Sequence, residues 1–199
     1  MKIIGLTGGI GSGKSIVSRF LAELGAEIVN LDKAGNDALK KGGIAYKKAV
    51  GEFGEGILKK DGEIDRTKLG AIVFSDSEAL KRLNNIVHPE IDKTVAEKIQ
   101  KCRRRGVKVM VLEAAVMLEA DKTSQADEIW ATIAIEKTVL GRLKKRSGYN
   151  ETEAKARIHS QMTNEERIKR ADVVIYNNGT LDELKARVKA EWEKLVKRL

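Results

Sequence analysis

The sequence predicts an α/β fold, a five-stranded parallel sheet flanked by helices. Short apolar runs alternate with longer stretches whose apolar residues recur every three or four positions, the pattern of buried strands and amphipathic helices. The first apolar run opens directly onto a glycine-rich turn and then a helix. A second apolar run follows that helix almost at once, and a strand-helix-strand connection of this length joins parallel strands.

In order, Lys2 to Thr7 reads as the first strand. Lys14 to Leu24 reads as a helix, with Ile16, Val17, Phe20, Leu21 and Leu24 on one face and Gly25 as its C-terminal cap. Ala26 to Leu31 is the second strand and leads to Asp32. From Lys33 to Arg105 the pattern is helical, interrupted at Gly42-Gly43, at the Asp61-Gly62 turn and at His88-Pro89, with no core strand. Ser75 with Glu78 has capping-box spacing ahead of the apolar face Ala79, Leu80, Leu83, Ile86 and Val87.

Val107 to Leu112, Ile129 to Ile135 and Val173 to Tyr176 supply the remaining strands. Glu136 to Arg146 and Glu151 to Gln161 are basic helices separated at Ser147-Gly148, the pattern of a mobile flap. Thr180 with Glu183 caps a final helix whose stripe is Leu181, Leu184, Val188, Trp192 and Leu195. The whole reads as one domain, with a core at about 1–32, 107–135 and 171–199, a helical insertion at about 33–105 and a lid at about 136–165.

A chain of 199 residues with 42% hydrophobic, 34% charged and only 4% aromatic residues is globular, with an aliphatic core. The net charge of +9 suits an anionic partner without choosing one. Lys101, Arg103, Arg104 and Arg105 read as a solvated helix end, with nucleic-acid binding as the alternative; no aromatic and glycine signature of an RNA binder accompanies them. The single cysteine, Cys102, excludes an internal disulfide, and it continues the helical stripe Ile91, Val95, Ile99 as a small core residue. The first apolar run is too short for a signal peptide or a membrane span, so the expectation is a cytoplasmic chain with no membrane and no nucleic-acid partner. The oligomeric state is left open, a monomer being the simpler expectation.

Gly8-Gly9-Ile10-Gly11-Ser12-Gly13-Lys14-Ser15 matches G-x-x-x-x-G-K-[ST] between a strand and a helix. Glycines let such a loop curl around a polyphosphate with its amides turned inward, and the positive end of the helix dipole faces the same oxygens. The donor-side set is therefore Gly9, Gly11, Ser12, Gly13, Lys14, Ser15 and Ile16, with Lys14 on the β and γ oxygens and Ser15 on Mg²⁺. Motif and topology together point to a P-loop fold that binds a nucleotide and a metal. They do not give the acceptor, since GTPases, motor ATPases and small-molecule kinases share this cradle. No N-K-x-D base-reading motif of GTPases is present.

Asp32 follows the second strand at the edge of the sheet where ligands bind, and reads either as the base that accepts an acceptor proton or as the N-cap of the next helix. The third strand leads into Glu113, with Glu119 six residues on; either acid could serve Mg²⁺ or substrate. Arg142 and Arg146, four apart, would project together from the flap towards phosphate, or simply line a solvated face. Arg157 and Gln161 form a similar pair, with His159 between them assigned no role, and Asn177-Asn178-Gly179 is a turn able to meet an adenine edge.

With these residues in view, the sequence resembles dephospho-CoA kinases of the P-loop nucleoside-monophosphate-kinase group along nearly its entire length. The resemblance is carried by Gly5 to Ser15, the strand before Asp32, Ile64-Asp65-Arg66, His88-Pro89, Arg142-Leu143 with Arg146, Arg157-Ile158 with Gln161, and Ala171-Asp172 leading to Asn177-Asn178-Gly179. It implies a P-loop kinase fold using ATP and Mg²⁺, dephospho-CoA as acceptor, and coenzyme A and ADP as products. It also implies Asp32 as catalytic base, assisted by Lys14 and Arg142, Arg66 and His88 on the acceptor side, the helical insertion as the coenzyme-binding region, and the flap as the lid. Two departures stand out: Asn30 replaces the first of two acids at the second strand's end, and Glu113 to Glu119 reads EAAVMLE where the family has a segment like DIPLLFE. Another small-molecule kinase, or a nucleotide-dependent switch without catalysis, are the alternatives.

Overall fold

The computed structural model describes residues 1–119 and 123–199. They divide into two compact units, Met1–Asn30 with Cys102–Leu199, and Leu31–Lys101.

The first unit is built on a parallel sheet of β1 (Lys2–Thr7), β2 (Glu27–Asn30), β3 (Val109–Glu113), β4 (Glu128–Ile133) and β5 (Val173–Tyr176). The order is β2-β3-β1-β4-β5, so β3 inserts between the first two strands and β1 lies at the centre. All four pairings are parallel, with Leu6 opposite both Glu113 of β3 and Trp130 of β4.

Helix α1 (Lys14–Glu23) and the last helix of the chain, Leu181–Val196, supply Val17, Phe20, Leu21, Leu184, Val188 and Leu195 to the core on one face of this sheet. Those side chains meet Ile4, Leu6, Val109, Val111 and Ile175. Burying each large aliphatic side chain contributes roughly 1.5 to 3 kcal/mol. The core is mainly aliphatic, with Phe20 and Trp130 as its buried aromatics; Trp130 is wholly buried and its indole N–H donates to Glu128 at 3.3 Å. Leu181, placed on the buried stripe by spacing, stands exposed in the first turn of its helix. The Thr180–Glu183 capping box is present in both directions.

Two aspartates pin the amino-terminal edge of the sheet. Asp127 accepts the Ile3 amide at 2.7 Å and donates its own amide to the Ile3 carbonyl, and Asp172 does the same with Ile129 one strand over.

The second unit starts with α2 (Leu31–Ala38) and α3 (Ile44–Phe53), passes a 3-10 turn at Glu55–Ile57, and continues through α4 (Arg66–Ser75) into α5 (Ser77–Arg104), whose last residues belong to the first unit. Its core is Ala49, Ile57, Ile64, Leu69, Val73 and Ala79, joined by Leu80, Leu83 and Ile86 from the predicted apolar face. The Asp61-Gly62 turn forms with Gly62 at φ +79°, inside one antiparallel bridge between Leu58 and Ile64.

Three local expectations are corrected here. β2 ends at Asn30, so Asp32 does not close a strand but sits in the first turn of α2. Ser75 ends α4 and bonds back to Ala71 and Ile72, while Asp76 takes the capping role by accepting the Glu78 amide at 2.8 Å. His88-Pro89 does not break a helix, because α5 runs through it with buried Val87 and Val95 on either side. Cys102 is buried near the end of α5. Among the described residues no helix is long and apolar enough to cross a membrane.

Between β4 and β5 lie α6 (Glu136–Ser147), α7 (Glu151–His159) and a third helix absent from the sequence reading, α8 (Asn164–Arg170); the last helix, α9, is Leu181–Val196. Replacing Asp127 or Asp172 by Ala removes a carboxylate-to-amide hydrogen bond and is expected to lower the unfolding free energy by about 1.5 to 3 kcal/mol each. The check is a urea titration, in which the midpoint falls at an unchanged slope.

Candidate active site

The loop between β1 and α1 turns on two glycines in the left-handed region, Gly11 at φ +70° and Gly13 at φ +95°. Gly13 also starts α1, its carbonyl accepting the Ile16 and Val17 amides at 2.9 and 3.1 Å. The Ser12 amide bonds back to the Gly9 carbonyl at 3.1 Å. A helix N-terminus of this kind leaves first-turn amides with no partner in the helix, and these are the groups that hold phosphate in such loops.

The outward carbonyls of the loop are bonded from behind. Arg142 of α6 donates through Nη1 to the carbonyls of Gly11 at 3.1 Å and Ser12 at 3.4 Å, and through Nη2 to the backbone and side-chain oxygens of Asn177, both at 3.0 Å. Asn177, buried beyond the end of β5, donates Nδ2 to the Ser12 carbonyl at 2.7 Å. Burial pushes the Arg142 guanidinium below its ordinary pKa, but arginine keeps its charge in proteins.

Arg142 and Arg146 are differently placed: Arg142 is bonded to the loop carbonyls and Asn177, whereas Arg146 is exposed. Both border a cavity of about 610 Å³ that also exposes Gly11, Gly13, Lys14 and Asn177. The Asn177 side chain is committed to the loop and Arg142, and Asn178 accepts the Ile135 amide at 2.8 Å.

Glu113 ends β3 beside Leu6 of β1, which brings it beneath the loop. One of its oxygens, Oε1, lies 3.2 Å from Lys14 Nζ and accepts from Ser15 Oγ at 3.3 Å. Glu113 is buried, so this carboxylate and the lysine compensate each other in a site of low dielectric. Of the two acids left open by the sequence, Glu113 joins Lys14 and Ser15; Glu119 pairs with Arg167 at 2.6 Å. Among the described residues no group of three or more His, Cys, Asp or Glu side chains gathers as a metal cage. The Ser15 hydroxyl and the Glu113 carboxylate nevertheless form an oxygen pair that suits Mg²⁺, which keeps most of its ligands as water and substrate phosphate.

Helices α6 and α7 pack on the loop as well. Ile10 joins Val139, Leu143, Ala154 and Ile158 in one apolar cluster, and a Cβ on Gly11 would stand 2.9 Å from Val139. Gln161 accepts the Ile10 amide at 2.8 Å, a contact that its pairing with Arg157 did not foretell; Arg157 instead lies over the Tyr149 ring. His159 reaches Glu136 at 3.4 Å with both side chains exposed. Arg167 was missed altogether. Its signal was the Thr163–Glu166 spacing, a capping box that starts α8.

Asp32, Arg66 and His88 belong to the second unit. Asp32 is exposed on α2, Arg66 is exposed as the first residue of α4 after the cap Asp65, and His88 is half-buried within α5. Nearby cations mark this unit too: a hydrogen bond from Lys40, with further pull from Lys33 and Arg66, holds the Asp37 carboxyl below the usual carboxylate range.

The sequence profile of the dephospho-CoA kinases matches residues 2–183. The chain belongs to the dephospho-CoA kinase family. The dephospho-CoA kinase of Carboxydothermus hydrogenoformans is 46% identical over 188 residues, covering 94% of this chain and 91% of the relative. A crystal structure from Thermus thermophilus superposes with a TM-score of 0.83 at 32% identity, covering 98% of this chain and 97% of that one. The dephospho-CoA kinase of Campylobacter jejuni gives a TM-score of 0.73 at 28% identity, covering 99% and 98%. The fold is thus the P-loop kinase fold, and family membership makes the chain an ATP-using kinase. Replacing Gly13 by Ala puts a side chain on a left-handed backbone and drives its Cβ into Asn177 Nδ2. The folded variant is expected to bind ATP at least about tenfold more weakly by calorimetry.

Proposed function

We propose that this chain transfers the γ-phosphoryl group of ATP to the ribose 3′-hydroxyl of dephospho-coenzyme A, giving coenzyme A and ADP, the last step of coenzyme A biosynthesis. The observation that carries the reading is the meeting of Lys14 and Ser15 on Glu113 beneath a braced phosphate loop, in a chain of this family.

The residues divide the work as follows. The amides of Gly11, Gly13, Lys14 and Ser15, with that of Gly9, hold the β-phosphate; Lys14 leaves Glu113 for the β and γ oxygens when nucleotide enters. Ser15 and Glu113 would hold Mg²⁺, which would neutralise charge on the transferring group. Arg142 keeps the loop carbonyls turned away from the phosphates, and Arg146 adds positive charge at the cavity rim. Asp32 accepts the proton of the acceptor hydroxyl. Phosphoryl transfer passes through a loose transition state, so this base acts chiefly by orienting the nucleophile. Arg66 and His88 bind the acceptor, and the lid α6 to α8 covers the nucleotide.

The test is turnover of a panel of acceptors with ATP and Mg²⁺. Dephospho-CoA is expected to be phosphorylated while AMP, gluconate and shikimate are not; turnover of one of those three, without turnover of dephospho-CoA, refutes the reading. Asp32→Asn is expected to leave ATP binding within about twofold and to lower kcat by a factor on the order of 10² to 10⁴, measured by coupled ADP release. An unchanged kcat removes Asp32 from the role of base.

A further inference from the structure

One buried charge has no part in the chemistry above. Arg167 of α8 is 3% exposed at its side chain, and its guanidinium is engaged on two sides: Nη2 meets Glu119 Oε1 at 2.6 Å and Nη1 donates to the Met162 carbonyl at 2.5 Å. Its Nε has no hydrogen-bond partner among the described residues. On the remaining side lies the phosphate loop. A Cβ built on Gly9 would stand 3.0 Å from Arg167 Nη1 and 3.4 Å from Gln161 Oε1, the same oxygen that accepts the Ile10 amide. The first turn of the loop is therefore backed by a cation and an amide, both supplied by the segment that follows the lid helix α7.

A buried guanidinium is costly even when paired, and an apolar side chain of similar volume would fill the space at lower cost. A buried donor without a partner adds to that cost. What stands beside the charge gives it a use. The neighbouring loop wraps a polyphosphate, so a fixed positive charge behind Gly9 raises the potential felt by that anion, and a flat guanidinium against the Gly9-Ile10 peptide limits how far it can move. Gly9 fits this account. Its φ is not left-handed, so the backbone does not demand glycine there; the nearness of Arg167 does.

We propose that Arg167, oriented by Glu119 and acting with Gln161, is a positioning residue that holds Gly9-Ile10 in the shape that grips the nucleotide's polyphosphate. The inference rests on the reading that this loop binds ATP. It works through the loop backbone, because the guanidinium stands beside Gly9 and is held there by Glu119 and the Met162 carbonyl.

Two variants of the full chain test it. R167K keeps the charge and loses the planar fork; G9A keeps Arg167 and presses a methyl group against it, with no left-handed backbone to strain. Both are expected to keep the wild-type circular dichroism spectrum and to bind ATP and ADP about tenfold or more weakly by calorimetry. Adenosine affinity and the KM for dephospho-CoA should stay within about twofold, because neither ligand depends on the first turn of the loop. A purely structural role would lower the thermal midpoint and leave the ATP affinity of the folded protein at the wild-type value. That result in G9A overturns the proposal, whatever R167K does. Failure of the underlying reading shows separately, as a wild-type chain that binds no ATP.

Discussion

A peptide loop that turns its amides towards an anion must turn its carbonyls away, and each buried carbonyl then needs a donor. The donor side of this protein depends on how that requirement is met. Arg142 and Asn177 reach the Gly11 and Ser12 carbonyls from α6 and from the end of β5, two segments far from the loop in sequence. Asn177 is placed by the pairing of β5 with β4, in which Tyr176 lies opposite Ile133 and the Asn177 amide bonds to the Ile133 carbonyl. Arg142 is placed by Val139 and Leu143 of its own helix, which pack with Ile10 of the loop. Sheet register, the packing of α6 and loop conformation are thus one linked arrangement.

The second constraint is charge balance. Lys14 and Glu113 are nearly buried together, and each offsets the cost of taking the other's charge out of water. Their pairing follows from strand order. Because β3 rather than β2 lies beside β1, the acid at the end of β3 falls under the loop that leaves β1. Arg167 and Glu119 repeat the device near Gly9, with the cation again on a helix and the acid six residues beyond the end of β3. The remaining ion pairs are mostly exposed and add little to stability.

The second unit is organised differently. Its helices are short apart from α5, its core is small and aliphatic, and its turn at Asp61-Gly62 is tied by the Tyr46 hydroxyl and the Lys41 ammonium to the Gly62 and Asp61 carbonyls. Pro89 shows how tertiary packing overrides a local signal. Proline removes one hydrogen bond and costs roughly 3 kcal/mol inside a helix, yet α5 continues through it with Val87 and Val95 buried. The misplaced cap at Ser75 is a subtler case: one residue of offset separates two side chains that can both accept an amide, and Asp76 is the one whose backbone leads into α5.

From the sequence alone, the features set by neighbours along the chain were legible. The phosphate loop, the strand before it, the Thr180–Glu183 cap, the Asp61-Gly62 turn and the five strands all depend on spacing within a few residues, where sterics and periodicity act. Resemblance to the dephospho-CoA kinases extended this to the family and its acceptor. The placement of β3 between β2 and β1 was not legible, because backbone hydrogen bonds between strands carry no record of which strand supplies them. Nor were the bracing role of Arg142, the choice of Glu113 over Glu119 for Lys14 and Ser15, or the burial of Arg167 against Gly9. Each depends on which segments meet in space, and burial then turns an ordinary charged residue into one whose partner is fixed by the cost of leaving it unpaired.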